Sequence, residues 1–292
     1  MAKRPQPEIA AMRRGLLRWV AEQGRDLPWR NTRDPWAVLV SELMLQQTQV
    51  ARVVPRYLAF LDHFPTPAAC AAARRADVVR AWHGLGYNRR AVFLHRCATR
   101  VVDEHDGKLP DDLDALLRLP GVGPYTARAV LAFAFERDVA VVDTNVGRIA
   151  ARLAGSRLTT TQAQAAADSL VPPRAGWQWN QAMLDLGATV CTKRVPSCRE
   201  CPVHMACRWR GRGPDPAHGS AATTSPQSTF EGSDRQGRGR LVSALRVGPV
   251  ALAAVPDVVG WDDVARVRVC IDSLRADGLV TIDDGVVALV GA

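Results

Sequence analysis

The chain of 292 residues has no long uncharged apolar run, and its first residues, Met1 to Glu8, are polar and basic. No secretory leader or membrane-spanning helix is therefore expected, and the reducing cytoplasm is the expected compartment. Through residue 207 no stretch alternates apolar and polar residues with the period of a strand, so a sheet does not organise this part. There is no internal repeat from which a solenoid could be stacked. Acidic residues are the scarcer charge, 29 against 38 basic ones, for a net charge of +9. That sign points to a polyanionic partner. Outside one short segment the only cysteines are Cys70, Cys97 and Cys270. Their spacing has no pattern, so they read as buried apolar side chains.

What is present suits a packed helical protein. Hydrophobic residues make up 47% of the chain, enough for a core. Apolar residues recur at three- and four-residue steps, as at Leu39, Leu43 and Val50. Breakers divide the helices at Pro28, Pro35, Pro55, Pro65 to Pro67, Gly84 to Gly86, Gly107 to Pro110 and Pro120 to Gly123. From Arg208 to about Arg235 Gly, Pro, Ser and Thr dominate, the composition of a linker. Beyond it, 238–245, 250–255 and 261–277 predict short helices. Residues 278–290 predict two strands around Asp283-Asp284-Gly285. Helices followed by such a hairpin resemble a winged-helix module.

Four places carry chemistry. Cys191, Cys198, Cys201 and Cys207 are separated by six, two and five residues. Four thiolates on so short a segment can hold a [4Fe–4S] cluster or a tetrahedral zinc, though zinc knots usually pair two C-x2-C knuckles and only one is present. Lys193 and Arg194 lie inside the segment, with Arg199 and then Arg208, Arg210 and Arg212, a cationic knob suited to phosphates. Leu119-Pro120-Gly121-Val122-Gly123-Pro124-Tyr125 predicts a tight turn opening into a helix, where backbone amides and a helix N-terminus make an anion site. Asp143 ends the apolar run Val139 to Val142 just before a new helical period. It is at once a helix N-cap and a carboxylate held toward its ionised form. Glu42 sits among Leu39, Leu43 and Leu45. In a dry pocket it would keep its proton, whereas on the solvent face of an amphipathic helix it would do nothing special.

Together these segments resemble the MutY family of adenine glycosylases, within the helix–hairpin–helix superfamily that also holds endonuclease III. The resemblance covers about residues 10 to 207. It rests on the cysteine spacing, Leu119 to Ala127, and Ser41-Glu42-Leu43-Met44-Leu45-Gln46-Gln47-Thr48-Gln49-Val50. It implies a mainly α fold with a six-helix barrel over about 33–142 and a [4Fe–4S] cluster domain from 1–32 and 143–207, to which composition and pattern add the 208–235 linker and the small winged-helix-like module of 236–292. One [4Fe–4S] cluster is then expected on the four cysteines.

The implied partner is double-stranded DNA with adenine opposite 8-oxoguanine or guanine, with no membrane association and a monomeric, nucleoid-associated protein. Glu42 is implied to protonate adenine and Asp143 to stabilise the sugar cation, with Asn145 holding water and Asp143. Tyr87, in Gly84-Leu85-Gly86-Tyr87, is implied to wedge into the duplex while Gln46 and Gln47 fill the vacated space. Arg30 resembles an active-site arginine near the base. Gly121, Val122, Gly123, Lys193 and Arg194 would meet the DNA backbone.

Three departures qualify the match. Asn88 stands where a second tyrosine is common, and Thr144 replaces a glycine between Asp143 and Asn145. The chain after Cys207 is too short for the Nudix-like domain most members carry; Phe230 to Leu241 instead resembles the tail of short actinobacterial homologues. Tyr125 occupies the place of the attacking lysine of the lyases and cannot form a Schiff base; the resemblance implies that it is catalytic instead by assisting near the sugar. A thymine-mismatch or oxidised-pyrimidine glycosylase and a non-catalytic DNA-binding regulator remain the competing readings.

Overall fold

Helix starts are set by polar side chains that accept a backbone N–H three residues on, as Thr66, Asp112, Thr159, Ser233 and Asp263 all do. The computed structural model describes residues 6–220 and 229–292. The first stretch contains α1 (Gln6–Gln23), α2 (Pro35–Leu45), α3 (Val50–His63), α4 (Pro67–Ala72), α5 (Arg75–Ala81), α6 (Arg89–His105), α7 (Leu113–Leu117), α8 (Pro124–Phe133), α9 (Thr144–Ala154), α10 (Thr160–Asp168) and α11 (Gly176–Thr189). The second contains α12 (Asp234–Val247), β1 (Val250–Ala251), α13 (Val255–Val259), α14 (Val264–Ala276), β2 (Val280–Asp283) and β3 (Val286–Leu289). Among the described residues no helix is long and apolar enough to cross a membrane.

Two units divide the chain: Met1–Pro35 with Pro124–Pro226, and Trp36–Gly123 with Gln227–Ala292. In the first, Met12 and Leu16 of α1, Val146, Ile149 and Leu153 of α9, and Trp179 and Leu186 of α11 form one buried cluster. The expected boundary near 142 falls instead at 123, because α8 is buried along Thr126 to Phe133 and packs on α11. The expected linker is also shorter than its composition suggested. Arg208 and Trp209 donate backbone N–H groups to Leu153 and Arg152 carbonyls at 3.4 and 3.2 Å. Ala217 is buried against Ala150, Ala151, Ala154, Leu158 and Ala163. Small residues that look like linker are the ones that fit against an alanine face; the rest of that stretch, 221–228, lies outside the described residues.

In the second unit α2 is buried continuously from Trp36 to Met44. The helical period read from Leu39 to Val50 is broken between α2 and α3, where Gln47 takes a left-handed φ of 56°. Pro55 does not break α3: Val53, Tyr57 and Phe60 are buried along one stripe, and their burial outweighs the ~3 kcal/mol that an internal proline costs. After α12, residues expected to be helical begin as β1, whose Val250 and Ala251 pair with Val287 and Val286 of β3. The antiparallel sheet has the order β1-β3-β2. Its hairpin turns through Asp284 and Gly285, at φ 49° and 76°, the two left-handed positions that an Asp-Gly turn supplies. Cys70, Cys97 and Cys270 are buried as expected, and burial pushes the first two thiols up to about 12.

Candidate active site and DNA interface

Glu42 is only 4% exposed, because α2 has no solvent face to offer it. The amphipathic alternative therefore fails. Just past it the chain leaves the helix, and Gln46 and Gln47 lie in the turn before α3. Tyr87 is on a second turn, 43% exposed and at φ 44°, between Gly86 at φ 67° and α6. A non-glycine residue held there is strained backbone, a condition that concentrates at functional sites.

In the hairpin, Gly121 has φ 80°, and a Cβ there would lie 2.6 Å from the Cβ of Phe93, so both conformation and space require glycine. Gly123 has nothing within 4 Å of its missing side chain, which leaves room for close approach. Val122 has a buried side chain, and its amide closes the turn on the Leu119 carbonyl at 3.1 Å. That amide is thus committed inside the protein. Tyr125 is the second residue of α8.

Asp143 caps α9. One carboxylate oxygen accepts the N–H groups of Asn145 and Val146 at 2.9 and 2.7 Å, and the other accepts Asn145 Nδ2 at 2.9 Å. Burial nevertheless wins: it pushes the carboxyl above its ordinary value, and the amides, Asn145 and the Arg148 guanidinium pull it back without cancelling the effect. Thr144 sits at the first helical position, which tolerates a β-branched residue. Asn180, buried in α11, bonds both the N–H of Val141 at 2.8 Å and the carbonyl of Val139 at 2.8 Å, fixing the extended approach to Asp143.

From Asp143 a chain of contacts runs along one face of α9. Arg148 donates to Asn145 Oδ1 at 2.9 Å, to the Gly187 carbonyl at 2.7 Å and to the Cys191 carbonyl at 2.9 Å. Gly187 is needed there, since a Cβ would meet Asn145 Cβ at 2.6 Å. One turn further, Arg152 reaches Cys191 Sγ at 3.2 Å and pairs with Asp215 at 2.7 Å.

Cys191, Cys198, Cys201 and Cys207 are free thiols that line one pocket, part of it open to solvent. Among the described residues no group of Cys, His, Asp or Glu side chains closes around a point as the ligands of a metal ion do. Lys193 and Arg194 are exposed beside Cys191. Lys193 also lines a cavity with Thr144, Arg148 and His218, next to the Asp143 cap. Arg30 Nη1 and Nη2 grip both oxygens of the buried Asp185 at 2.8 and 2.7 Å, joined by Arg25 at 2.6 Å.

The description "HhH-GPD superfamily base excision DNA repair protein" fits residues 40–173. The adenine DNA glycosylase of Mycobacterium tuberculosis is 43% identical over 301 residues, spanning 98% of this chain and 97% of that one. The chain belongs to the HhH-GPD superfamily, in its adenine DNA glycosylase family. The adenine DNA glycosylase of Mycolicibacterium smegmatis is 45% identical over 284 residues, 94% of this chain and 95% of its own. A solved thermostable thymine-DNA glycosylase superposes with a TM-score of 0.67 at 28% identity, over 70% of this chain and 97% of that one. The chain is accordingly an enzyme, a DNA glycosylase.

For this glycosylase the residue that sequence reading missed is Arg90, which reads as one more arginine in a basic helix. It is 7% exposed. Nη1 donates to the carbonyls of Leu43, Met44 and Gln46 at 2.6, 3.0 and 2.7 Å. Nη2 donates to Thr48 Oγ1 and to the carbonyls of Leu85 and Gly86 at 3.0, 3.1 and 3.2 Å. One guanidinium thus satisfies the orphan carbonyls at the end of α2 and ties the Gln46–Gln47 turn to the Tyr87 turn. Burial pushes it down to about 10, still charged at neutral pH. Arg90→Met is expected to cost about 3 kcal/mol by leaving these carbonyls unpaired, read as a lower urea midpoint. An unchanged midpoint would remove Arg90 from the frame of both turns.

Proposed function

We propose that this DNA glycosylase removes adenine mispaired with 8-oxoguanine or guanine in duplex DNA, by hydrolysing the N-glycosidic bond. The observation that carries the reading is the Asp143 cap, a carboxylate aligned by three N–H donors yet partly stripped of water. Such a group suits a cation forming beside it. In this mechanism Tyr87 wedges into the duplex, and Gln46 and Gln47 fill the space as adenine leaves the stack. Glu42 passes its proton to N7 of the base. The bond from C1′ to N9 breaks with its electron pair going to the adenine, and Asp143 stabilises the sugar cation. Water held by Asn145 adds to C1′ and gives up a proton. Gly121, Gly123 and the start of α8, with Lys193 and Arg194, hold backbone phosphates; Val122 serves the turn itself, and Arg30 acts by fixing Asp185. Tyr125 supplies no amine, so the enzyme is monofunctional.

Four thiolates at this spacing, lining one pocket, would hold one [4Fe–4S] cluster, and N–H groups of Arg152 and Arg210 approach the sulfurs of Cys191 and Cys207 at 3.2 and 3.4 Å. Such a group supplies cross-linking of the segment, which would keep Lys193 and Arg194 rigid. Purified protein is expected to contain iron and sulfide in the stoichiometry of one cluster, and stoichiometric zinc in their place would overturn the assignment.

The activity itself is tested by single-turnover base release from matched duplexes with A opposite 8-oxoguanine, A opposite G, T opposite G, and thymine glycol. Adenine is expected from the first two, fastest opposite 8-oxoguanine, with no borohydride-trapped adduct. Release of thymine or of thymine glycol would overturn the substrate, and a trapped adduct the monofunctional chemistry.

A further inference from the structure

In the region after Cys207, helix α12 meets the loop that carries Tyr87. At one end of α12, Arg235 Nη1 lies 3.5 Å from Tyr87 Oη. Near the other end, Arg246 donates from Nη2 to Asn88 Oδ1 at 2.7 Å and from Nε to the Val79 carbonyl at 3.2 Å. Arg80 returns a contact to the Arg246 carbonyl at 3.4 Å. Val79 is in the last turn of α5, so Arg246 caps that helix while holding the residue that follows Tyr87. Further along, Arg89 pairs with Asp277 at 3.3 Å, and Arg75 donates to the Gly278 carbonyl at 3.4 Å. The module therefore holds both the helix that enters the Gly84–Tyr87 turn and the one that leaves it.

Arg246 is not there for an ion pair. Its acceptors are an amide oxygen and a carbonyl. Burial and the nearby Arg56 push its pKa down to about 10, and it is still a cation at neutral pH. Arg56 in turn lies 3.3 Å from His83 Nδ1, and because a guanidinium can only donate, that ring nitrogen accepts. A desolvated cation beside other bases costs stability, so its specific grip on Asn88 calls for a reason beyond packing. The grip also accounts for the sequence departure at position 88: a side-chain carbonyl one bond beyond Cβ can meet Arg246 where a tyrosine ring would present carbon.

We propose that Arg246 is a positioning residue for base extrusion: through Asn88 it fixes Tyr87 in its left-handed conformation, which makes the C-terminal module a working part of the wedge. The proposal rests on the wedge reading of Tyr87 given above. Tyr87 at φ 44° is a conformation that a free loop would leave; Arg90 holds the residues before it, and the hydrogen bond from Arg246 to Asn88 holds the residue after it.

The test uses the full chain and a duplex with 2-aminopurine beside the target adenine, whose fluorescence rises when the base unstacks. Stopped-flow unstacking rates are compared for wild type, Tyr87→Ala, Arg246→Met, Asn88→Leu and the Arg246→Met/Asn88→Leu double variant, with urea midpoints measured alongside. Arg246→Met and Asn88→Leu are each expected to slow unstacking by about tenfold, the worth of one charge-assisted bond. The double variant is expected to be no slower than Arg246→Met alone, because Asn88→Leu removes a contact that Arg246→Met has already removed. Arg246→Lys, which keeps a donor on a long side chain, is expected to recover part of the rate. If Tyr87→Ala slows unstacking while Arg246→Met and Asn88→Leu do not, the wedge reading stands and the positioning role falls. If Tyr87→Ala leaves unstacking unchanged, the wedge reading itself fails. Additive losses in the double variant, or losses that merely track the urea midpoints, would also overturn the positioning role, since Asn88→Leu lies outside the module and need not unfold it.

Discussion

Asp143→Asn is expected to lower single-turnover adenine release by about 10³-fold, the scale of removing one aligned electrostatic stabiliser from an active site. The substitution keeps an N-cap, because asparagine accepts the N–H groups of Asn145 and Val146 as aspartate does. Two opposing effects bear on stability. The new amide faces Asn145 Nδ2, which now donates to Asp143 at 2.9 Å, and losing that bond costs about 1 kcal/mol. Against it stands the direction of the Asp143 pKa. Folding raises it, so the group's contribution is fully present below the unfolded pKa and is lost as pH rises through the folded one. At neutral pH the ionised carboxylate therefore subtracts from stability, and asparagine does not. Activity should collapse while the urea midpoint barely moves. The same shift predicts the acid limb of the wild-type profile: release falls as pH drops through a pKa above that of an ordinary aspartate. Loss of activity in proportion to lost stability would mean that Asp143 is a cap and nothing more.

Glu42→Gln is the second large effect, a loss of about 10²–10⁴-fold in the rate of adenine release, the usual worth of a positioned general acid. Glutamine has nearly the same shape, and α2 packs around this position on all sides, so the fold should hold. A distinguishing readout is the leaving group. A base that departs readily without protonation at N7 should regain rate in the glutamine variant, whereas adenine should not. Equal rates of adenine release by the wild type and by Glu42→Gln would sink the proton-donor role.

The two carboxylates differ in how far the sequence revealed them. Asp143 was legible locally, because an apolar run ending in Asp before a helical period already specifies an N-cap, and capping geometry reaches only two or three residues. Glu42 was not. Its burial depends on neighbours that enclose α2 from every side, and no local pattern separates an enclosed helix from an amphipathic one. The break after Leu45 was hidden for the same reason. Gln46 to Gln49 contain no glycine or proline, and the chain turns there because Arg90, far along the sequence, takes the carbonyls at the end of α2. Composition misled in the 208–220 stretch, where small residues pack instead of linking.

Sequence alone determined the helical character, the cap at Asp143, the Gly121 turn, the Asp-Gly hairpin and the cysteine spacing, since each depends on covalent geometry or on contacts a few residues apart. Only the tertiary structure decided that Arg30 belongs to Asp185, that Arg90 binds two turns together, that Arg148 joins Asn145 to Cys191, and that Arg246 holds Asn88. Each is a long side chain whose reach spans several ångströms and whose choice of acceptor is made by whichever buried carbonyl or carboxylate would otherwise go unpaired.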